Sequence, residues 1–576
     1  GSGGGRPEMN ALEVTVGGTA TVITSSTDND IDYFDTPTNN YAVLNPLNIF
    51  DASVTYSKAN LRANYGGGGN RVVFVDMPMD DGKYYWECTL KDQVEGWAGV
   101  ITEDYEKRQV TVFSDNSDGW AYNFSGSSDN QKNHNGSNSS SHGVTAANDT
   151  IGFLLDIPSG TLKIEINGAT QSNSEFTNIP TNKKLFVAFN IGGGAGNVNM
   201  DWNFGQMPFL FEPTGYQHVA TNNLPEPTIK DGRKHFDVLT WTGNGTDDRA
   251  ITGLEFQPAL VWIKNRTATN LDYIVADGIM GSNRRLRSNT SDAFGSTNDF
   301  KTFTSDGFTL GDQSITNGGS SPNTYVAWCW KAPSSNTSNS DGDITTTIRA
   351  NTDAGFCCMG FTGSTSAQKL GHGLNAEPEF VISKCVGVGS TSWQVYHHTL
   401  GVGSFLPFTT SEMSNISGFW GSASDWDATT CGCSNNDSDN NKTNELMRWY
   451  IWHGVEGFSK FGSYTGNGSA DGSFVYLGFK PALVVIRAAQ TGTNGQEPWF
   501  AYDTAREPNN VMNQPLEWNS QNAEGATSRD IDILSNGFKL RSAANQVNGS
   551  GTNYIYAAWA EHPFGGGENV PPATAR

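Results

Sequence analysis

Cys431-Gly432-Cys433, with Asp437 and Asp439 a few residues on, is the nearest approach to a metal-ligand cluster in this sequence. A Cys-x-Cys pair without a second pair or a nearby His falls short of zinc spacing. His397 and His398 are adjacent, and neighbours on a strand point to opposite faces, which hinders joint ligation. No Asp/Asn loop matches a calcium ligand series, so no metal and no cofactor is expected. A glycosidase needs two carboxylates about 5 to 9 Å apart. Asp277, in Val275-Ala276-Asp277, and Asp503, in Ala501-Tyr502-Asp503, hold similar places in the repeats described below. The third sibling has Tyr396-His397-His398 there, and an acid–base group does not vary among siblings unless only one is active. The plainer reading is a polar residue that ends a strand. There is no Gly-x-Ser-x-Gly elbow, phosphate loop or dinucleotide fingerprint, and Gly66-Gly67-Gly68-Gly69-Asn70-Arg71 reads as a turn. No catalytic residue is assigned, and the expectation is a protein that is not an enzyme. Glycan binding needs a flat aromatic for the sugar's apolar face and polar side chains for its hydroxyls. Phe419 to Asp427 offers both, so Trp420, Asp425 and Trp426 are the expected ligand contacts, with core packing as the competing role for either Trp.

The elements that position these groups come in three copies. Thr242-Gly243, Thr362-Gly363 and Thr465-Gly466 each lie 16 residues before a proline: Pro258, Pro378 and Pro481. Each proline opens an apolar run, Ala259 to Lys264, Glu379 to Lys384 and Ala482 to Arg487. The copies start 120 and 103 residues apart, the length of a small domain. Alternation puts Leu260, Phe380 and Leu483 on one strand face with Trp262, Ile382 and Val485, and Val261, Val381 and Val484 on the other. Both faces are apolar, which predicts a central strand of a packed sandwich. Lys264, Lys384 and Arg487 share its far end and read as charges where the strand meets water; an anion site is the alternative. Ser305-Asp306-Gly307-Phe308 and Ser535-Asn536-Gly537-Phe538 predict matching turns that need Asp/Asn-Gly geometry.

Composition sets the wider bounds. The chain has 576 residues, with 66 Gly and only 16% charged residues, and Asn, Ser and Thr fill the stretches between apolar runs. Such a chain favours short strands and polar loops over helices. A formal charge of −23 argues against nucleic acid and against adhesion to an anionic bilayer. No apolar run is long enough to insert in a membrane, and Gly1 to Pro7 lacks the apolar core of a secretory signal. Seven Cys are too few for a disulfide framework. Cys88 and Cys329 read as core residues, and synthesis in a reducing cytosol follows.

Tyr84-Tyr85-Trp86-Glu87-Cys88, Gly96 to Val100, Gly119-Trp120-Ala121-Tyr122, Asp149 to Asp156 with Asn167-Gly168, and Asn203-Phe204-Gly205 follow one another in order. This series resembles a SPRY domain, which implies a bent β-sandwich that binds and has no shared catalytic chemistry. The repeats are similar to a domain of large virion proteins of marine tailed phages, where Thr-Gly-Asn-Gly, a Pro-Ala-Leu-Val strand and an aromatic final strand recur. The expected fold is all-β, a SPRY-like sandwich plus three related β-sandwich repeats in tandem. The expected layout is an N-terminal arm at 1–33, the SPRY-like domain at 34–220 and a linker at 221–234. Repeats follow at 235–333, 345–457 and 458–564, with a linker at 334–344 and a tail at 565–576. The resemblance implies a virion surface protein, a tail fibre or appendage, made in the host cytoplasm. Its expected partners are virion proteins through the arm and a host surface glycan or receptor, and a homo-oligomer is expected for avidity. A capsid decoration protein and a polysaccharide depolymerase are the two alternatives.

Overall fold

The structure is a computed structural model that describes residues 11–16, 19–24, 40–47, 54–65, 71–91, 96–103, 105, 112–124, 130–143, 145–191, 200–319, 323–435, 439–492 and 495–565. Asp437, the Gly-rich stretch at 66–70, the tail beyond Gly565 and the rest of the 1–33 arm lie outside these residues. The fold is all-β, and the chain divides between Glu226 and Pro227 into two compact units. No helix among the described residues is long and apolar enough to cross a membrane.

In the first unit, Ala11–Val16 pairs antiparallel with Thr19–Thr24. The sandwich proper has two sheets. One runs Ser137–Ser141, Gln131–His134, Gly119–Phe124, Gly96–Thr102, Leu185–Ile191, Arg71–Phe74. The other runs Ala169–Thr170, Thr161–Ile166, Thr150–Asp156, Lys83–Leu90, Met200–Asn203. Alternation along Lys83–Leu90 sends Trp86 and Cys88 to one face and Tyr85 and Glu87 to the other. Trp86 stacks on Phe153 with centroids 5.3 Å apart and rings 4° from parallel. Glu87, on the opposite face, is also buried. Its carboxylate accepts from Leu210 N (3.0 Å), Asn203 Nδ2 (3.2 Å) and the Tyr85 hydroxyl (3.1 Å), so it ties down the segment that leaves the sandwich. Burial pushes its pKa up, while these donors oppose the shift.

The second unit contains three sheets with one plan. Each has an opening strand, a closing strand, a central strand and a flanking strand, in that spatial order. The opening strands are Phe236–Thr242, Phe356–Thr362 and Ser459–Thr465; the closing strands are Thr324–Lys331, Leu446–Trp452 and Asn553–Pro563. The central strands are Pro258–Asn265, Phe380–Cys385 and Phe479–Ala488; the flanking strands are Ile274–Asp277, Gln394–His397 and Phe500–Asp503. A small outer sheet backs each: Arg249–Thr252 with Gly307–Leu310 and Thr302–Thr304, Gln368–Gly371 with Thr430–Cys433, and Phe474–Tyr476 with Gly537–Leu540 and Ile531–Leu534.

The three related β-sandwich repeats expected in tandem are present. The structure gathers all three into one compact body, and the reason lies on the second face of each central strand. Leu260 and Trp262, Phe380 and Ile382, and Leu483 and Val485 all enter one shared core. Val261 and Val381, on the opposite face, enter the separate cores of the first and second repeats. Trp330, Trp452 and Trp559 pair with Leu260, Phe380 and Leu483, so they hold one position in three copies. They meet in the middle, with centroids 5.8, 5.4 and 5.7 Å apart and rings inclined by 65–74°. Near-equal edge-to-face contacts mark a pseudo-threefold axis through the triad. Each such contact is worth about 0.5–1.5 kcal/mol beyond the area it buries.

Three local features add to the sequence reading. The 334–344 linker contains a strand, Thr337–Asn339, paired with Thr346–Asn351 on the outer edge of the second repeat. Ile229, in the 221–234 linker, is buried in the shared core. The Gly307 and Gly537 hairpins form, but neither glycine has positive φ. A Cβ there would sit 1.9 Å from Ile251 O and 2.1 Å from Val475 O, so close approach of a neighbouring strand, not turn geometry, demands glycine.

Candidate functional site

Several of the polar groups that looked chemical in the sequence sit on the seams between repeats. Asp277, His397 and Asp503 pair with Leu260, Phe380 and Leu483, so they are equivalent, and all three are wholly buried. Asp277 Oδ2 accepts the hydroxyl of Tyr450, on the second repeat's closing strand, at 2.8 Å. Asp503 Oδ2 accepts Trp328 Nε1, on the first repeat's closing strand, at 3.0 Å, and Arg506 Nε at 2.6 Å. The matching place on the third repeat's closing strand is Ala557, which has no donor to give. What that strand presents is the Tyr556 carbonyl, 3.3 Å from His397 Nε2. A carbonyl needs a donor, which neutral imidazole supplies and a carboxylate does not. Burial drives the His397 pKa down to about 3, which keeps the ring neutral.

A second ring of contacts repeats the pattern. Phe294 N donates to Val386 O (3.1 Å), Met413 N to Gln490 O (3.3 Å) and Glu524 N to Arg266 O (2.7 Å). These bonds run first repeat to second, second to third, and third to first. A head-to-tail contact that closes after three steps is a ring. Lys264, Lys384 and Arg487 do not meet water as expected; each is fully buried, and the last two reach across a seam. Lys384 Nζ donates to Ser291 O of the first repeat (3.1 Å) and to Thr391 O, and Arg487 Nη2 to Ser411 O of the second (2.6 Å). Lys264 Nζ donates to Leu271 O (2.6 Å) and lies over the Tyr273 ring. Burial lowers both lysines to about 8 and Arg487 to about 10.

The expected glycan contacts are part of a core. Trp420 is fully buried and Trp426 nearly so, within the second repeat's own cluster. Trp420 Nε1 donates to Ser404 O (3.1 Å) and Trp426 Nε1 to Trp420 O (2.8 Å). Trp426 lies against Tyr396 at 4.0 Å, so neither indole offers a face to a sugar. Asp425 is half-buried; it accepts Ser422 N at 2.7 Å and caps the short turn Ala423–Asp425. Cys431 and Cys433 are buried thiols on the strand that pairs with Gln368–Gly371. Asp439 accepts Ser392 N and Gln394 Nε2, and no group of metal ligands forms among the described residues. His398 Nε2 lies 2.9 Å from Phe461 O.

The Thr-Gly loops form an exposed polar surface that is held from beneath. A buried Asn underlies each: Asn317, Asn441 and Asn548. Their Oδ1 atoms accept Asn244 N (3.2 Å), Ser364 N (2.9 Å) and Asn467 N (3.0 Å). Their Nδ2 atoms donate to Thr246 O, Ser366 O and Ser469 O. A Cβ on Gly243, Gly363 or Gly466 would sit 2.1–2.3 Å from the carbonyl that follows the Asn, which is why the motif is Thr-Gly. Outside, Gly245 to Asp248, Thr365 to Ala367 and Gly468 to Ala470 are exposed. Asp247 and Asp248 both lie 2.7 Å from Lys301 Nζ. Sequence reasoning found the Thr-Gly dipeptides but missed the Asn residues that hold them. Their signal, Asn-Gly at 317–318 and 548–549 shortly before a closing strand, is weak in a chain so rich in both residues.

A family described as a domain of unknown function, DUF7483, matches residues 231–563. This chain belongs to the DUF7483 family. The match covers the three-repeat ring as a whole, as the shared core requires. A SPRY domain matches residues 83–207, within the first unit. No curated protein matches the chain. Among solved structures, stonustoxin is 19% identical with a TM-score of 0.24, over 28% of this chain and 27% of that one. The crystal structure of the TRIM65 PSpry domain is 15% identical with a TM-score of 0.24, over 28% of this chain and 90% of that one. The chain thus spans about a quarter of the stonustoxin chain it matches.

Proposed function

We propose that this DUF7483 protein is a non-catalytic surface protein of a phage virion, a tail fibre or similar appendage, that binds a host surface glycan or receptor. The observation that carries the reading is the set of Thr-Gly loops: one backbone plan, three different tips, each locked from beneath by a buried Asn. A rigid frame with variable polar tips suits display, since little loop entropy is lost on binding. The SPRY domain adds a second β-sandwich interaction module. The virion assignment rests on the resemblance read from the repeat motifs of the sequence alone. Asp277 and Asp503 give the depolymerase alternative no support, because both are buried and bonded across seams. A capsid decoration role is the second reading, favoured by the burial of Trp420 and Trp426.

The test labels host cells with purified protein and assays reducing ends. Cell binding that drops at least tenfold when Thr246, Asp247 and Asp248 are replaced by Ala, with no sugar released, supports the display reading. Sugar release overturns it in favour of an enzyme. No cell binding, with the protein found on the capsid lattice, overturns it in favour of decoration.

A further inference from the structure

The threefold plan leaves the outer edges of two opening strands unpaired, Phe236–Thr242 and Ser459–Thr465, and the third repeat has Gly462 where the first has Leu239. In the second repeat, Thr346–Asn351 lies antiparallel along the outer edge of the opening strand Phe356–Thr362. Thr347, Arg349 and Asn351 stand opposite Gly360, Cys358 and Phe356, and Ile348 stands opposite Met359. Ile348 enters that repeat's own core, and Met359 beneath it is fully buried.

The equivalent strand of the first repeat, Phe236–Thr242, is the edge of its sheet. Counting back from Thr-Gly, Leu239 matches Met359, Thr240 matches Gly360 and Val238 matches Cys358. Lys331 N donates to His235 O and Gly243 N to Asn323 O. The odd-numbered residues therefore bond to the closing strand, and Thr240 turns its N–H and C=O outward. Among the described residues no backbone group bonds to them, and no strand lies alongside. The side chains agree. Leu239 is half-buried where Met359 is sealed, and Thr240 is exposed where Gly360 is buried. Asp237, the counterpart of buried Cys357, has a carboxyl whose pKa burial raises to about 6. Charge and bulk on an edge are ways to discourage indiscriminate pairing, yet the apolar seat at Leu239 remains.

We propose that the outer edge of Phe236–Thr242 is a docking site for an extended peptide segment of a partner protein, added as an antiparallel strand. The occupant is a segment with an apolar side chain over Leu239, flanked by residues that exchange backbone bonds with Thr240 and Val238. The chain supplies its own precedent, because Thr346–Asn351 fills the same seat one repeat on. Strand addition takes affinity from main-chain bonds and specificity from the alternate side chains. This site is independent of the Thr-Gly loops and of the virion assignment.

The probe is a fluorescent peptide with the sequence of residues 344–351, Ile-Thr-Thr-Thr-Ile-Arg-Ala-Asn, added to the full chain. Saturable binding, with slowed hydrogen exchange confined to Phe236–Thr242, is expected. Thr240→Pro removes an outward N–H that the sheet does not use and should weaken binding at least tenfold with the fold intact by circular dichroism. Should Thr240→Pro fail to fold, Leu239→Lys puts a charge in the seat and should weaken binding equally. A peptide carrying Asp in place of its second Ile should also lose at least tenfold. Absence of binding at about 1 mM peptide, protection on Ser459–Thr465 instead, or binding indifferent to these changes overturns the proposal.

Discussion

The SPRY unit and the three-repeat ring use buried carboxylates of the same kind to opposite ends. In the SPRY unit, Glu87 accepts from Leu210, Asn203 and Tyr85, all within one sandwich. In the ring, Asp277 and Asp503 accept from closing strands of other repeats. A carboxylate that serves its own sandwich secures a local segment. One that serves a neighbour makes two sandwiches a single cooperative body. The third seam shows that the donor–acceptor match matters more than the residue type, since Ala557 and the Tyr556 carbonyl there call for His397.

The sharpest break of this contrast is Asp503→Ala. It removes the nearer of the two carboxylates beside the buried Arg506 side chain, leaving Glu524 at 3.6 Å, and removes the acceptor of Trp328 Nε1. A loss of about 3–5 kcal/mol is expected, with hydrogen exchange rising in all three repeats and not only the third. Exchange confined to residues 458–564 would show that the repeats are independent. His397→Asp should cost about 3 kcal/mol, because it sets a buried carboxylate against the Tyr556 carbonyl. His397→Asn, which keeps a donor, should cost less in the same denaturant titration; equal losses would refute the matching argument. Asn441→Ala removes the bonds under one Thr-Gly loop and should cost about 1–3 kcal/mol. In the SPRY unit, Glu87→Ala should cost about 1–3 kcal/mol, speed exchange at Leu210, and leave the ring's unfolding midpoint unchanged.

The smallest effect is in pH. Lys264 and Lys384 titrate near 8 when folded, below the ordinary 10.5. Below the folded value both states hold the proton, and burying the charge costs stability. Between the two values the unfolded chain binds more protons than the native one, so stability rises with pH. The gain is on the order of 1 kcal/mol between about pH 8 and about pH 9, and Lys384→Met should roughly halve it. A falling or flat profile in the unmodified protein would mean these ammonium groups are better satisfied than their burial implies.

Much of the fold was legible because it is local. Alternation in Ala259 to Lys264 gave the central strand and its two apolar faces, and Trp86 and Glu87 marked a SPRY strand. The site was less legible. Trp420 and Trp426 stand among small polar residues, and nothing in their neighbours says that Tyr396 and Ser404 fold over them. Lys264, Lys384 and Arg487 looked like strand-end charges because the carbonyls that cap two of them belong to other repeats.

The sequence by itself determined three copies of one strand plan, because period-two alternation and the glycine at each close approach are written within a few residues. Only the tertiary structure decided that the copies close into a ring. Whether a face apolar on both sides meets solvent, a lid or a sibling depends on surfaces more than 100 residues apart, and the Trp330–Trp452–Trp559 triad exists only when all three arrive together.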